Sequence, residues 1–131
     1  MDRQQAVRVV AFAVGAFNLM LGVWAFIHPA SFFERLAAFP PYNHHLLHDI
    51  GAFQVGVGAV LLAALRGRDA LLAALIGAGA ASVLHAASHI IDRDLGGRAT
   101  DPIGVSLIAA AVLLAALWRA RAGDEEPSDQ D

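Results

Sequence analysis

An all-α, four-transmembrane-helix bundle is the fold class the sequence predicts, and three observations carry it. Of 131 residues, 57% are apolar and 16% charged, with a mean hydropathy of +0.56, well outside the composition of a soluble domain. The apolar residues fall in four blocks free of Asp, Glu and Arg, at 9–27, 50–65, 70–91 and 102–118, of 19, 16, 22 and 17 residues. A helix needs about 20 such residues to cross ~30 Å of hydrocarbon, and backbone groups in lipid must bond within their own segment, so the blocks are helices and not strands. Residues 1–122 therefore read as one four-span domain. Residues 123–131 read as a disordered acidic tail that cannot bury enough apolar surface to fold.

The first span follows Arg3 and Arg8 as a signal peptide would, but 19 apolar residues exceed a signal core and no small-x-small cleavage site follows, so a retained anchor is expected. The next segment holds a capping-box spacing in Ser31-Phe32-Phe33-Glu34, then Phe32, Leu36 and Phe39 at i, i+4 and i+7. That pattern predicts a short interfacial helix in the first outer loop, ended by Pro40-Pro41. Trp24 and Tyr42 suit an aromatic belt, and Asn43 is placed to cap the second span, which gains length upstream through Leu46 and Leu47. Only Arg66, Gly67, Arg68 and Asp69 separate the second and third spans, which predicts a tight antiparallel hairpin. Asp101 and Pro102 stand as N-cap and first residue of the fourth span.

All nine basic residues are Arg and Cys is absent. Thiolate metal sites, disulfides and a Lys Schiff base are thereby excluded. A net charge of −3 leaves no basic stripe for nucleic acid; the partners expected are the lipid bilayer and a membrane protein or second copy of the chain. Arg3, Arg8, Arg66, Arg68, Arg119 and Arg121 fall on one side of the spans and Arg35, Arg93 and Arg98 on the other. Basic residues are retained inside, so both termini are expected in the cytoplasm of a bacterial cell.

The chemistry-bearing residues are six histidines, His28, His44, His45, His48, His85 and His89, all at the outer ends of the first three spans on this topology. His44 and His48 share one helical face with Ala52 and Gly56, and His85 and His89 share one with Ala81 and Gly77. Small-residue faces are where membrane helices approach closely. Measured along the hairpin, the four imidazoles alternate between helices at steps of ~3 Å. His48, His85 and His89 are thus the leading cofactor ligands, with His44 and Asp92 completing a metal set. Haem held by one histidine from each helix is the other cofactor option. Against these stands a purely packing role for the histidines. Deeper in the spans, Asn18 shares a face with Gly15 and Gly22, which favours an interhelical hydrogen bond.

The run Leu21-Gly22-Val23-Trp24-Ala25-Phe26-Ile27-His28-Pro29, followed by Gly51-Ala52-Phe53-Gln54-Val55-Gly56-Val57-Gly58-Ala59, resembles the DoxX-like small four-helix membrane proteins. That resemblance implies four spans and a link to quinone-coupled or redox-stress systems. The expected function is a small integral membrane protein with an outward-facing histidine cluster for a transition metal or haem, accessory to a membrane redox complex. A structural or interaction protein without cofactor is the alternative. A membrane oxidoreductase is a third reading, for which no catalytic fingerprint is visible. The topology has a direct check, because the chain has no native thiol: a Gly67→Cys variant in intact cells should resist an impermeant thiol reagent and react only after permeabilisation.

Overall fold

A computed structural model describes residues 1–124, so the acidic segment 125–131 lies outside the described residues. The chain forms α1 (Arg3–Ile27), α2 (Pro29–Arg35), α3 (His44–Ala64), α4 (Arg68–Ile91) and α5 (Asp101–Asp124). Helices α1, α3, α4 and α5 are each long and apolar enough to cross a membrane, and only 22–33% of each apolar stretch is buried inside the protein. Large apolar side chains such as Phe53 and Leu84 stand 76% and 71% exposed, which suits a surface solvated by hydrocarbon.

Local chemistry sets the helix ends. The Asp2 carboxylate accepts the Gln5 amide at 2.7 Å and starts α1, and the Asn43 side chain accepts the Leu46 amide at 3.1 Å and starts α3, as its position predicted. Two expected caps are corrected. Helix α2 begins at Pro29, whose missing N–H costs nothing in a first turn, and it ends at Arg35, short of Phe39. Ser31 lies within α2 and ties it to α1: its hydroxyl accepts the Trp24 indole N–H at 2.8 Å and donates to the His28 carbonyl at 3.2 Å. Asp101 is the first residue of α5, not its cap. Its carboxylate turns back to accept the Arg98 amide at 2.8 Å, while the Thr100 carbonyl accepts the amides of Ile103 and Gly104.

Helices α1 and α3 make the most extensive pairing, and α4 and α5 the next. The α1–α3 crossing is a backbone contact. A Cβ on Gly22 would lie 2.6 Å from the Val55 nitrogen and 2.7 Å from the Gly51 oxygen, and one on Gly58 would lie 2.7 Å from the Gly15 oxygen and 2.7 Å from the Leu19 nitrogen. Gly22 thus faces Gly51, and Gly15 faces Gly58, in one antiparallel register. The expected close packing of α3 on α4 through Gly56 and Gly77 is overturned: a Cβ at either position meets no atom within 4 Å. The small face of α3 that is engaged is the one turned to α1, while α4 turns Gly79 against Leu113 of α5. Asn18, expected to bond across helices, donates instead to the Val14 carbonyl of its own helix at 2.8 Å.

The main core lies at the arginine-rich end, where Val7 and Ala11 of α1, Leu61 of α3, Leu71 and Leu75 of α4 and Val112 of α5 are sealed together. A second cluster of Ala25, Phe32 and Leu47, with Trp24 and Ile50 against it, joins only α1, α2 and α3 at the opposite end. Substitution separates the two kinds of glycine. Gly22→Ala should lower stability by about 1–3 kcal/mol through overpacking. Gly56→Ala and Gly77→Ala should leave it unchanged or raise it by up to ~1 kcal/mol, since alanine is the better helix former. Thermal unfolding in detergent reads both.

Candidate functional site

The first turn of α3 places His44 and His48 on one face, one turn apart. Their Nε2 atoms converge to 3.1 Å, with ring centroids 4.4 Å apart and planes nearly perpendicular. The far nitrogen of His44, Nδ1, lies 3.2 Å from the Tyr42 hydroxyl, so a three-member chain runs Tyr42, His44, His48. His48 also stacks on Phe26 of α1, at a centroid distance of 4.8 Å and an interplanar angle of 26°. The α1–α3 crossing makes that stack possible, because Gly22 against Gly51 brings the two helices close one turn below it. His45 points elsewhere, 3.5 Å from Asp49, with both side chains exposed.

Helix α4 carries the second pair. His85 and His89 sit at a centroid distance of 4.7 Å, and His89 packs edge-on against Phe39 at 5.5 Å. Phe39 belongs to the loop after α2, and the α4–α5 loop holds that loop in place. The Gly97 amide donates to the Ala38 carbonyl at 3.0 Å, and the Arg98 guanidinium donates to the Arg35 carbonyl. Gly97 has φ +77°, and a Cβ there would meet the Phe39 ring at 2.7 Å, so both its backbone conformation and its space require glycine.

The structure therefore arranges four of the six histidines as two pairs, each within its own helix. His48 has His44 and Phe26 as ring neighbours, while His89 has His85 and Phe39. Among the described residues no three His, Asp or Glu side chains gather closely enough to hold one metal ion. The expected set of His48, His85 and His89 with Asp92 is accordingly not assembled. The physical reason is the one that frees Gly56 and Gly77: α3 leans on α1, and α4 leans on α5. Asp92 ends α4, donating its amide to the Ser88 carbonyl at 2.8 Å. His28 forms the junction of α1 and α2.

Sequence reasoning placed Tyr42 in an aromatic belt and missed its contact with His44. A hydroxyl two residues before the first of an i, i+4 histidine pair was the available signal. No known family, curated protein or solved structure matches the chain.

The loop clasp over the second pair is testable. Gly97→Ala should cost about 1–2 kcal/mol from the left-handed backbone alone, and a protease should cut the segment around Phe39 faster in that variant than in the parent.

Proposed function

We propose that the chain is a small multi-pass membrane protein, with both termini cytoplasmic, that binds a divalent late transition metal on its outer rim through His44 and His48. One observation carries this reading: the 3.1 Å separation of two Nε2 atoms. At metal–nitrogen bonds of ~2.0–2.1 Å, a tetrahedral ion sets its nitrogens ~3.3 Å apart and an octahedral one ~2.9 Å apart. The pair already has the bite of a chelate. The Tyr42 hydroxyl fits the same reading, because a ligating His44 Nε2 would carry its proton on Nδ1, 3.2 Å from an oxygen that can accept it and orient the ring. The site lies at the N-terminus of α3, whose dipole opposes a cation by about 0.3–1 kcal/mol at an exposed position. That is small beside two metal–imidazole bonds. Water completes the coordination sphere, leaving positions open for a redox partner's ligand or a small substrate.

Ligation by both histidine pairs at once, or haem between α3 and α4, has less support, since each pair is turned to its own neighbours. The likeness to DoxX-like proteins in the first two long helices suits an accessory role beside a membrane redox complex. The other function class, a protein whose histidines only pack, is favoured by the same contact read as a hydrogen bond between neutral rings.

Calorimetric titration of the detergent-solubilised protein, purified without a histidine tag, separates the two. Cu2+ or Zn2+ should bind, and His44→Ala or His48→Ala, each removing one of the two ligands, should abolish the chelate, a larger loss than the ~10–100-fold that removing a ligand's orienting partner costs. Tyr42→Phe should weaken it less, and His45→Ala should leave it intact. Binding that is absent from the parent, or indifferent to His44 and His48, overturns the proposal.

A further inference from the structure

At the end of the bundle opposite the histidines, the start of α1 and the last turns of α5 enclose a recess of about 180 Å³. It is lined by Asp2, Arg3, Val7, Trp118, Arg119 and Arg121, with Gln4 and Ala122 at its edges. Three arginines and one aspartate are among these lining residues, and the Asp2 carboxylate is engaged in accepting the Gln5 amide. The residues that line the recess therefore carry a surplus of two positive charges, to which the N-terminal end of the α1 dipole adds a further positive potential. Its floor is apolar: Val7 is 2% exposed and belongs to the main core.

We infer that this recess binds the phosphodiester headgroup of an anionic phospholipid. Guanidinium forks match phosphate oxygens in pairs, and basic pockets between membrane helices are built for lipid phosphates. Its position favours a lipid over a free phosphate. The recess lies where two long apolar helices end, Trp118 is the kind of side chain that settles at headgroup depth, and Leu114, one turn below Trp118 on the same face of α5, is 50% exposed. A headgroup held by the arginines would thus have an apolar path for its acyl chains directly beneath it. The orientation expected from the arginine count puts this recess on the cytoplasmic leaflet, where anionic lipids reside. The inference depends on the four apolar helices and not on the histidine chelate, so either can fail alone.

Trp118 supplies the readout. A Trp24→Phe variant leaves it as the sole tryptophan, and the protein can be reconstituted into phosphatidylcholine vesicles containing brominated phosphatidylglycerol or, separately, brominated phosphatidylcholine. Phosphatidylglycerol should quench Trp118 with a relative association constant ~10–30-fold above that of phosphatidylcholine, as expected for two surplus charges. Arg3→Gln with Arg119→Gln should return the ratio to near unity. Inorganic phosphate at millimolar concentration, compared with chloride at equal ionic strength, should not displace the brominated lipid. Equal quenching by the two lipids in the parent, which needs no variant in the recess to fold, overturns the proposal. Displacement by inorganic phosphate assigns the recess to a free anion and overturns it as well.

Discussion

The contact on which the rest of the structure depends is the approach of two backbones at the α1–α3 crossing. Gly22 meets Gly51 and Gly15 meets Gly58, and a single carbon added to Gly22, Gly51 or Gly58 would fall within 2.6–2.8 Å of peptide atoms on the facing helix. Lipid offers no hydrophobic force to hold helices together, so association rests on close van der Waals packing, and glycines permit the closest. Two such contacts seven residues apart on each helix fix both the separation and the register. The stack of His48 on Phe26 follows from it.

The same contact decides what α4 can do. With the glycine face of α3 occupied by α1, α4 meets α3 mainly near their shared turn, where Leu61 and Leu71 join the core, and takes α5 as its principal neighbour. At the far end the bundle relies on loop backbone for closure. The Ala38–Gly97 hydrogen bond and the Arg98 side chain on the Arg35 carbonyl do there what side-chain packing does at the arginine-rich end.

The spans and the start of α3 were legible because they are local. Four uncharged blocks and a capping Asn43 report on their own segments, and the four long helices and the α3 cap appear where those signals stand. Faces were legible as well: His44 with His48, and His85 with His89, do share faces. Neighbours were not, because a ladder of small residues marks a surface that can be approached without saying by which helix. Gly56 and Gly77 look, in one dimension, like Gly51 and Gly58. The useful clue was relational: Gly15 and Gly22 repeat at seven residues, and so do Gly51 and Gly58, which allows two antiparallel helices to match glycine to glycine twice. Ser31 was misread because its capping-box spacing is also satisfied one turn inside a helix that Pro29 had already begun.

The pairing of α1 with α3 and of α4 with α5 has a consequence for biosynthesis. Each pair is a helical hairpin, the pairs follow one another in the order of synthesis, and the main core is sealed only when all four long helices meet. The first hairpin can close in the bilayer, glycines against glycines, before the second has been made, and the second then docks through the core near Leu71 and Val112. The turn around Gly67, which caps the start of α4, tethers the two hairpins.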